Sequence, residues 1–447
     1  MARLLVRPRP VRDESTAGYL LRLSEANGFT SLLDLDLLAS RENGRDAFSR
    51  VGTMLPGVSL QPLRGHVTRF RNLKIADPGG IHMKYWNGRR PRFCPACLAE
   101  KSYWRGVWDL TLMVACPLHR ARLCDLCPGC NHPLSWRRAH ISECDCGQSL
   151  TDMPLEDTTD TAVAVSAYLT AALTGETVGN RVHQQLNVQL LSLSDLLAVC
   201  VQLGGYASIH GAKPTKIARL DDVSVATVVA NGAGKALIDW PQGYRELLRN
   251  VGRNERSEGS SVRLTARFGY FYTALYRRFG ASQFDFLRRE FEEFVRSEWV
   301  GQLAERNRRL SKATRRQHAW IPITGAAKLL GIKRATVSAL IEHGTLEGQT
   351  HKSPSGRTSG TVSRRSVDKF RIEKAQWSTL TEVRKTLKIS RKHAHALLRS
   401  GDLRPVRGPS VDGSPVWRFS VQEVMALKAG LFNTTSGGGH NSALDGR

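Results

Sequence analysis

Eight of the nine cysteines lie between Cys94 and Cys146, and their spacing constrains the fold more than any other feature of the chain. The stretch "FCPACLAEKSYWRGVWDLTLMVACPLH" holds Cys94-x2-Cys97, an 18-residue gap and Cys116-x2-His119. An x2 pair closes a tight knuckle that aims two donors at one ion, and tetrahedral Zn(II) takes two such pairs. Pro95 and Pro117 follow the first cysteine of each pair, where a fixed φ helps to shape the knuckle. A second set follows as Cys127-x2-Cys130, a 13-residue gap and Cys144-x-Cys146, with Gly147 giving the backbone freedom to turn. Cys124, His132 and His140 lie close to this second set, which leaves its ligands less determined; Cys124 is the expected leftover. Cys200 stands apart and is expected to be a small core residue.

Two structural zinc ions are therefore expected, each closed by four protein ligands. Their role would be to staple about 60 residues that could not build a sufficient core alone. A catalytic zinc keeps an open position for water and usually has a Glu base nearby, and neither H-E-x-x-H nor a deaminase-type H-x-E occurs. Trp104, Trp108 and Trp136 are expected to pack over the knuckles, with base stacking the weaker reading.

The length, 447 residues, favours about three domains joined by linkers. The formal net charge is +25, which implies a polyanionic partner. Residues 301–447 carry 27 Lys plus Arg against 10 Asp plus Glu, a net of +17, so only +8 remains for the first 300. No run of about 18 apolar residues could span a bilayer. The opening "MARLLVRPRPVRDES" is too short and too interrupted to serve as a secretory segment. A cytoplasmic protein without membrane attachment is expected, where clustered cysteines read as metal ligands more readily than as disulfides.

The fold class expected is mainly α: an N-terminal helical module with two zinc knuckles (1–155), a helical middle (156–312), two tandem winged helix-turn-helix domains (318–373 and 374–430) and a disordered tail (431–447). Residues 12–28, "RDESTAGYLLRLSEANG", read as a helix capped by Asp13 or Ser15, striped by Leu20, Leu21 and Leu23, and stopped at Asn27-Gly28. A second short helix is expected at about 30–40. Apolar residues at three- and four-residue spacing run through about 158–310. Within it "NGAGKAL" lacks the G-x4-G-K-[ST] spacing of a phosphate loop and reads as a helix junction. Phe268, Tyr270, Phe271, Tyr272 and Tyr276 read as core.

The C-terminal region is duplicated. "ITGAAKLLGIKRATVSALIEHGTL" from Ile323 aligns with "LTEVRKTLKISRKHAHALLRSGDL" from Leu380 at a constant offset of 57 residues, pairing Leu330 with Leu387, Ile332 with Ile389, Gly344 with Gly401 and Leu346 with Leu403. The offset continues to Val362 with Phe419 and Val367 with Val424. Each copy reads as a helix capped by Thr324 or Thr381, a short turn, a second helix, a hairpin and a closing helix. This is a winged helix-turn-helix similar to the excisionase and MerR type. The second helix of such a motif enters the major groove by its N-terminal residues. Those are Lys333, Arg334, Thr336 and Ser338 in the first copy and Arg391, Lys392, His393 and His395 in the second. Lys352 and Arg357, in the first hairpin, could reach phosphates or the minor groove.

The helix "ESTAGYLLRLSEANG", followed by "FCPACLAE", "ACPLHRARL", "CPGCNHPL" and "CDCG" in that order, resembles the TniQ family of transposon target-selection proteins related to TnsD. The resemblance covers roughly the first 150 residues. It implies a protein without chemistry of its own in the cytoplasm of a bacterium, bridging a DNA address and the transposition machinery. It further implies that the zinc module contacts an AAA+ ATPase of the TnsC or TniB type, which brings the transposase. The address would be read directly on double-stranded DNA, or supplied by a CRISPR effector complex with its guide RNA. The duplicated basic domains favour direct reading. A homodimer remains compatible with the sequence.

The rival reading is a zinc-stabilised helix-turn-helix transcriptional regulator, which would seldom need two knuckles and a long helical body. A transposase would need spaced carboxylates for two metals on an RNase-H-like sheet, and no strand-rich segment is present to carry them.

Overall fold

The computed structural model describes residues 3–32, 34–35, 51–60, 63, 81–88, 90–175, 191–208, 217, 219–254, 264–301, 303, 307–352, 358–411 and 416–435. They fall into two compact units, 1–295 and 296–447. Helix predominates in both. Among the described residues no helix is long and apolar enough to cross a membrane.

The first unit opens with α1 (Thr16–Ala26), capped by Ser15, whose side chain accepts from the Gly18 amide. Gly28, at φ +72°, takes the left-handed conformation expected after the helix. Gly18 serves packing: a Cβ there would lie 2.3 Å from Trp104 Cβ. Helix α1 thus rests directly on Trp104, which is fully buried. Around Trp104 the rings of Phe93, Trp108 and Trp136 lie at 5.4, 5.7 and 5.2 Å, and the guanidinium of buried Arg138 lies 4.6 Å from its centroid. The three tryptophans are core, and none is free to stack a base. Most of the second helix expected at about 30–40 lies outside the described residues.

Helix α2 (Pro95–Glu100) follows Cys94, and a minimal antiparallel pair, β1 (Ala115–Cys116) with β2 (Ala121–Arg122), completes the first knuckle. The middle is helical: α3 (Asp160–Thr174), α4 (Leu193–Ser208), α5 (Val223–Ile238), α6 (Gln242–Asn254), α7 (Leu264–Arg277) and α8 (Asp285–Ser297). "NGAGKAL" lies inside α5, which corrects the reading of it as a junction. Its glycines allow close helix contact. A Cβ on Gly232 would meet Ala207 Cβ at 2.8 Å, one on Gly234 would meet Thr161 Cβ at 2.9 Å, and one on Gly204 of α4 would meet the Val229 carbonyl oxygen at 2.0 Å. Phe268, Phe271 and Tyr272 are buried core, whereas Tyr270 is exposed.

The second unit starts with α9 (Lys312–Gln317) and then builds the same arrangement twice. In the first copy β3 (Trp320–Pro322), α10 (Ile323–Leu330), α11 (Arg334–Glu342), β4 (Gly348–Lys352), β5 (Thr358–Ser363) and α12 (Arg364–Ala375) succeed one another. The second repeats them as β6 (Trp377–Thr379), α13 (Leu380–Leu387), α14 (Arg391–Ser400), β7 (Pro405–Arg407), β8 (Arg418–Ser420) and α15 (Val421–Thr435). Every element of the second copy pairs with its counterpart at the 57-residue offset, and strand register obeys it too: Trp320 faces Ser363 as Trp377 faces Ser420. Both sheets place the last strand in the middle, in the orders β3-β5-β4 and β6-β8-β7.

The buried residues Val383, Leu387, Leu403, Phe419 and Val424 of the second core each have a buried counterpart in the first: Ala326, Leu330, Leu346, Val362 and Val367. The first turn uses Gly331 at φ +62°; its counterpart Lys388 takes φ +57° with a side chain. Thr324 and Thr381 lie within their helices and do not cap them. The cap positions are Pro322, which offers no side-chain acceptor, and Thr379, which forms a capping box with Glu382. Helix α15 continues to Thr435, past residue 430, and residues 436–447 of the expected tail lie outside the described residues.

Candidate metal centres and nucleic-acid interface

The first cluster gathers Cys94, Cys97, Cys116 and His119. Cys94 precedes α2 and Cys97 sits in its first turn, so the knuckle is a helix start. Cys116 and His119 come from the β1–β2 turn, where Arg120 adopts φ +50°. His119 Nδ1 lies 3.5 Å from Cys94 Sγ, 3.3 Å from Cys97 Sγ and 3.5 Å from Cys116 Sγ, and Cys97 Sγ lies 3.5 Å from Cys116 Sγ. On its other side His119 Nε2 meets Glu100 Oε1 at 2.8 Å. A carboxylate on the second ring nitrogen fixes the tautomer and directs Nδ1 inward, as is usual for a metal-binding imidazole. Glu100 was missed in the sequence; the only hint was an acid three residues past Cys97.

The second cluster gathers Cys127, Cys130, Cys144 and Cys146. Cys127 Sγ lies 3.6 Å from Cys146 Sγ, and Cys130 Sγ 3.8 Å from Cys144 Sγ. Tight turns aim them: the Asn131 amide donates to the Cys127 carbonyl at 2.9 Å with Asn131 at φ +56°, and the Gly147 amide donates to the Cys144 carbonyl at 2.9 Å with Gly147 at φ +80°.

The donor sets fit a tetrahedral ion. Sulfurs about 2.3 Å from a central ion stand about 3.8 Å apart on a tetrahedron, and a nitrogen shortens an edge slightly. In each cluster the donor atoms lie within 4.8 Å of one another, so either could hold a metal. Cys124 belongs to neither. It is buried, its backbone pairs with Phe93 at 3.0 and 2.8 Å, and burial pushes its thiol up to about 12. Nor does His140 join the second set; its Nδ1 meets Glu25 Oε1 of α1 at 3.1 Å.

A buried guanidinium, also missed in the sequence, ties the metal-bearing segment to the helices. Arg92 Nη1 donates to the carbonyls of Thr111 and Met113 at 2.7 and 3.0 Å, and Nη2 to those of Asp221 and Leu220 at 3.0 and 3.3 Å. Burial lowers its pKa to about 10, so it stays charged at neutral pH. Arg90 pairs with Asp222 at 3.2 Å beside it. These contacts cross the division expected at 155/156.

In the second unit Lys333 takes the cap position of α11 and Arg334 its first turn; these two and Thr336 are exposed, while Ser338 is half-buried. The corresponding start of α14 exposes Arg391, Lys392 and His393, with His395 half-buried and Ser390 capping through the His393 amide at 3.2 Å. Cations thus gather at the start of both second helices. The side chain of Lys352 and the whole of Arg357 lie outside the described residues.

The fold and the clusters define a mainly helical protein with two candidate metal centres and a basic, duplicated C-terminal unit. Residues 5–123 match the TniQ family model, which spans α1 and the first cluster and associates the chain with transposition. Comparison with curated proteins gives no significant match.

Proposed function

We propose that the protein is a target-site selector of a transposon, an adaptor that binds double-stranded DNA through its C-terminal repeats and recruits an AAA+ ATPase of the TnsC or TniB type, and through it the transposase. The observation that carries this reading is the TniQ match over residues 5–123, on a chain whose other end holds two copies of a basic helix–turn–helix–hairpin arrangement. We read those copies as winged helix-turn-helix domains. In this reading Lys333, Arg334, Thr336 and Ser338, together with Arg391, Lys392, His393 and His395, address the major groove, and Lys352 and Arg357 address phosphates from the first hairpin.

The metal in both clusters is proposed to be zinc, held by Cys94, Cys97, Cys116 and His119 and by Cys127, Cys130, Cys144 and Cys146. Bound there, it supplies a cross-link and no chemistry, because four protein donors leave no position for water. The shape it fixes is the docking surface for the ATPase. Direct reading of the target is favoured over delivery by a guide-RNA complex, because the chain carries its own basic repeats. The test is selection from a random duplex library by the purified protein, with the ATPase then added and complex formation followed by size-exclusion chromatography. Recovery of one site and co-elution of the ATPase are expected. Recovery of no preferred sequence would favour guided delivery, and failure of the ATPase to co-elute would refute the recruiting role.

A further inference from the structure

We propose that the cleft between the two repeats of the second unit grips a backbone phosphate of bound DNA, which adds Lys328, Lys374, Arg407 and Arg418 to the interface. This inference rests on the DNA-binding reading and deepens it by assigning a phosphate contact to the junction.

The cleft has a volume of about 570 Å³ and takes residues from both copies. Lys328, Lys333, Arg334 and Lys374 enter it from the first copy and Arg407 and Arg418 from the second, and among the described lining residues there is no acid. Six like charges converging in one hollow repel one another, and walls of low dielectric focus their field outward onto an anion. The apolar part of the lining includes Phe370 and Trp377, whose rings meet edge to face at 5.6 Å.

Two of the cations are held in place by the protein. Lys374 Nζ donates to the Leu330 carbonyl at 2.5 Å, which leaves two ammonium protons for a ligand. Arg407 donates to Thr345 Oγ1 at 2.8 Å while its guanidinium lies 5.3 Å from the centroids of both Phe370 and Trp377. Guanidinium and ammonium groups fixed in advance lose little freedom on meeting a phosphate oxygen. The start of α11 opens on the same cleft, and its cap residue Lys333 offers no side-chain acceptor to the first amides. The amide dipoles at a helix start add partial positive charge. A phosphodiester is the chemistry that meets all of these at once, and Lys333 and Arg334 make the cleft continuous with the proposed reading face.

The test is equilibrium binding of the full-length protein to a fluorescent duplex carrying the selected site and to one of random sequence, over a series of salt concentrations. Relative to the wild type, the double variant Lys328→Gln/Arg418→Gln, which weakens the grip on that one phosphate, is expected to lower the slope of log affinity against log salt by about 1. It should weaken both duplexes by the same factor. Lys369→Gln, on the solvent side of α12 with its side chain 80% exposed, should leave the slope unchanged and serves as the control. An unchanged slope in the double variant overturns the proposal while leaving DNA binding intact, as does a loss confined to the selected duplex. Normal DNA binding with a weakened ATPase complex would reassign the cleft to an acidic protein segment and likewise overturn it. If the wild type binds neither duplex at low salt, the DNA-binding reading falls, and the cleft with it.

Discussion

Arg407 of the second repeat donates to Thr345 of the first at 2.8 Å, across a junction where only Gln376 separates α12 from β6. Trp377, the first residue of β6, packs against the core of the first copy. The two copies therefore share structure across the junction.

Replacing Arg407 by Ala removes one hydrogen bond and two cation–π contacts, worth together about 1–2 kcal/mol. The second unit should become less stable by that amount. Hydrogen exchange of peptides from β6 to β8 would register it as faster opening, and Arg407→Lys should recover less than half of the loss, because an ammonium cannot span both rings and the hydroxyl.

Gly18→Ala places a methyl 2.3 Å from Trp104 Cβ, a clash that side-chain rotation cannot relieve. Overpacking of this kind costs about 1–3 kcal/mol. A lowered melting temperature of the N-terminal unit is expected, whereas Gly28→Asn, at a left-handed position with open space around it, should be far milder.

Cys94→Ser and Cys127→Ser should each lower bound zinc by one ion per chain and unfold the N-terminal module, because a structural site contributes directly to folding. Cys124→Ser should keep both ions. Elemental analysis alongside circular dichroism measures this, and native protein without zinc would refute both sites.

Asp109 is buried, accepts from the Ser15 hydroxyl at 2.5 Å, and is pushed by burial from 3.8 up to about 8. Its proton is retained in the folded state, so its contribution is fully present below about pH 4. That contribution is lost as pH rises toward 8, because the unfolded chain ionises first. Between pH 6 and 8, where zinc ligation is not competing with acid, wild-type stability should fall with rising pH and Asp109→Asn should flatten the slope in thermal melts.

Features carried by local spacing were legible in the sequence. Cysteine spacing grouped the donors into two sets and left the second less determined, with Cys124 its expected leftover, and the constant offset anticipated the repeated cores, because both are properties of sequence distance alone. Features that depend on contacts between distant segments were not legible. Nothing near Gly18 announces Trp104, and nothing near Arg92 announces the carbonyls of Leu220 and Asp221, more than 120 residues away. The caps were misplaced for a related reason. The sheet strands β3 and β6 run directly into the helices, so Pro322 and Thr379 take the positions assigned to Thr324 and Thr381. The glycines of "NGAGKAL" suggested a break because their use, the approach of neighbouring helices to α5, lies outside the local sequence.

Mapping insertion sites in a reconstituted reaction tests most directly whether this protein chooses where a transposon inserts, as proposed. With the transposase, the ATPase and the wild-type protein, insertions should cluster beside the duplex sequence that the protein selects, and Arg391→Gln/Lys392→Gln should disperse or abolish them. An insertion pattern that is the same with and without the protein would contradict the account.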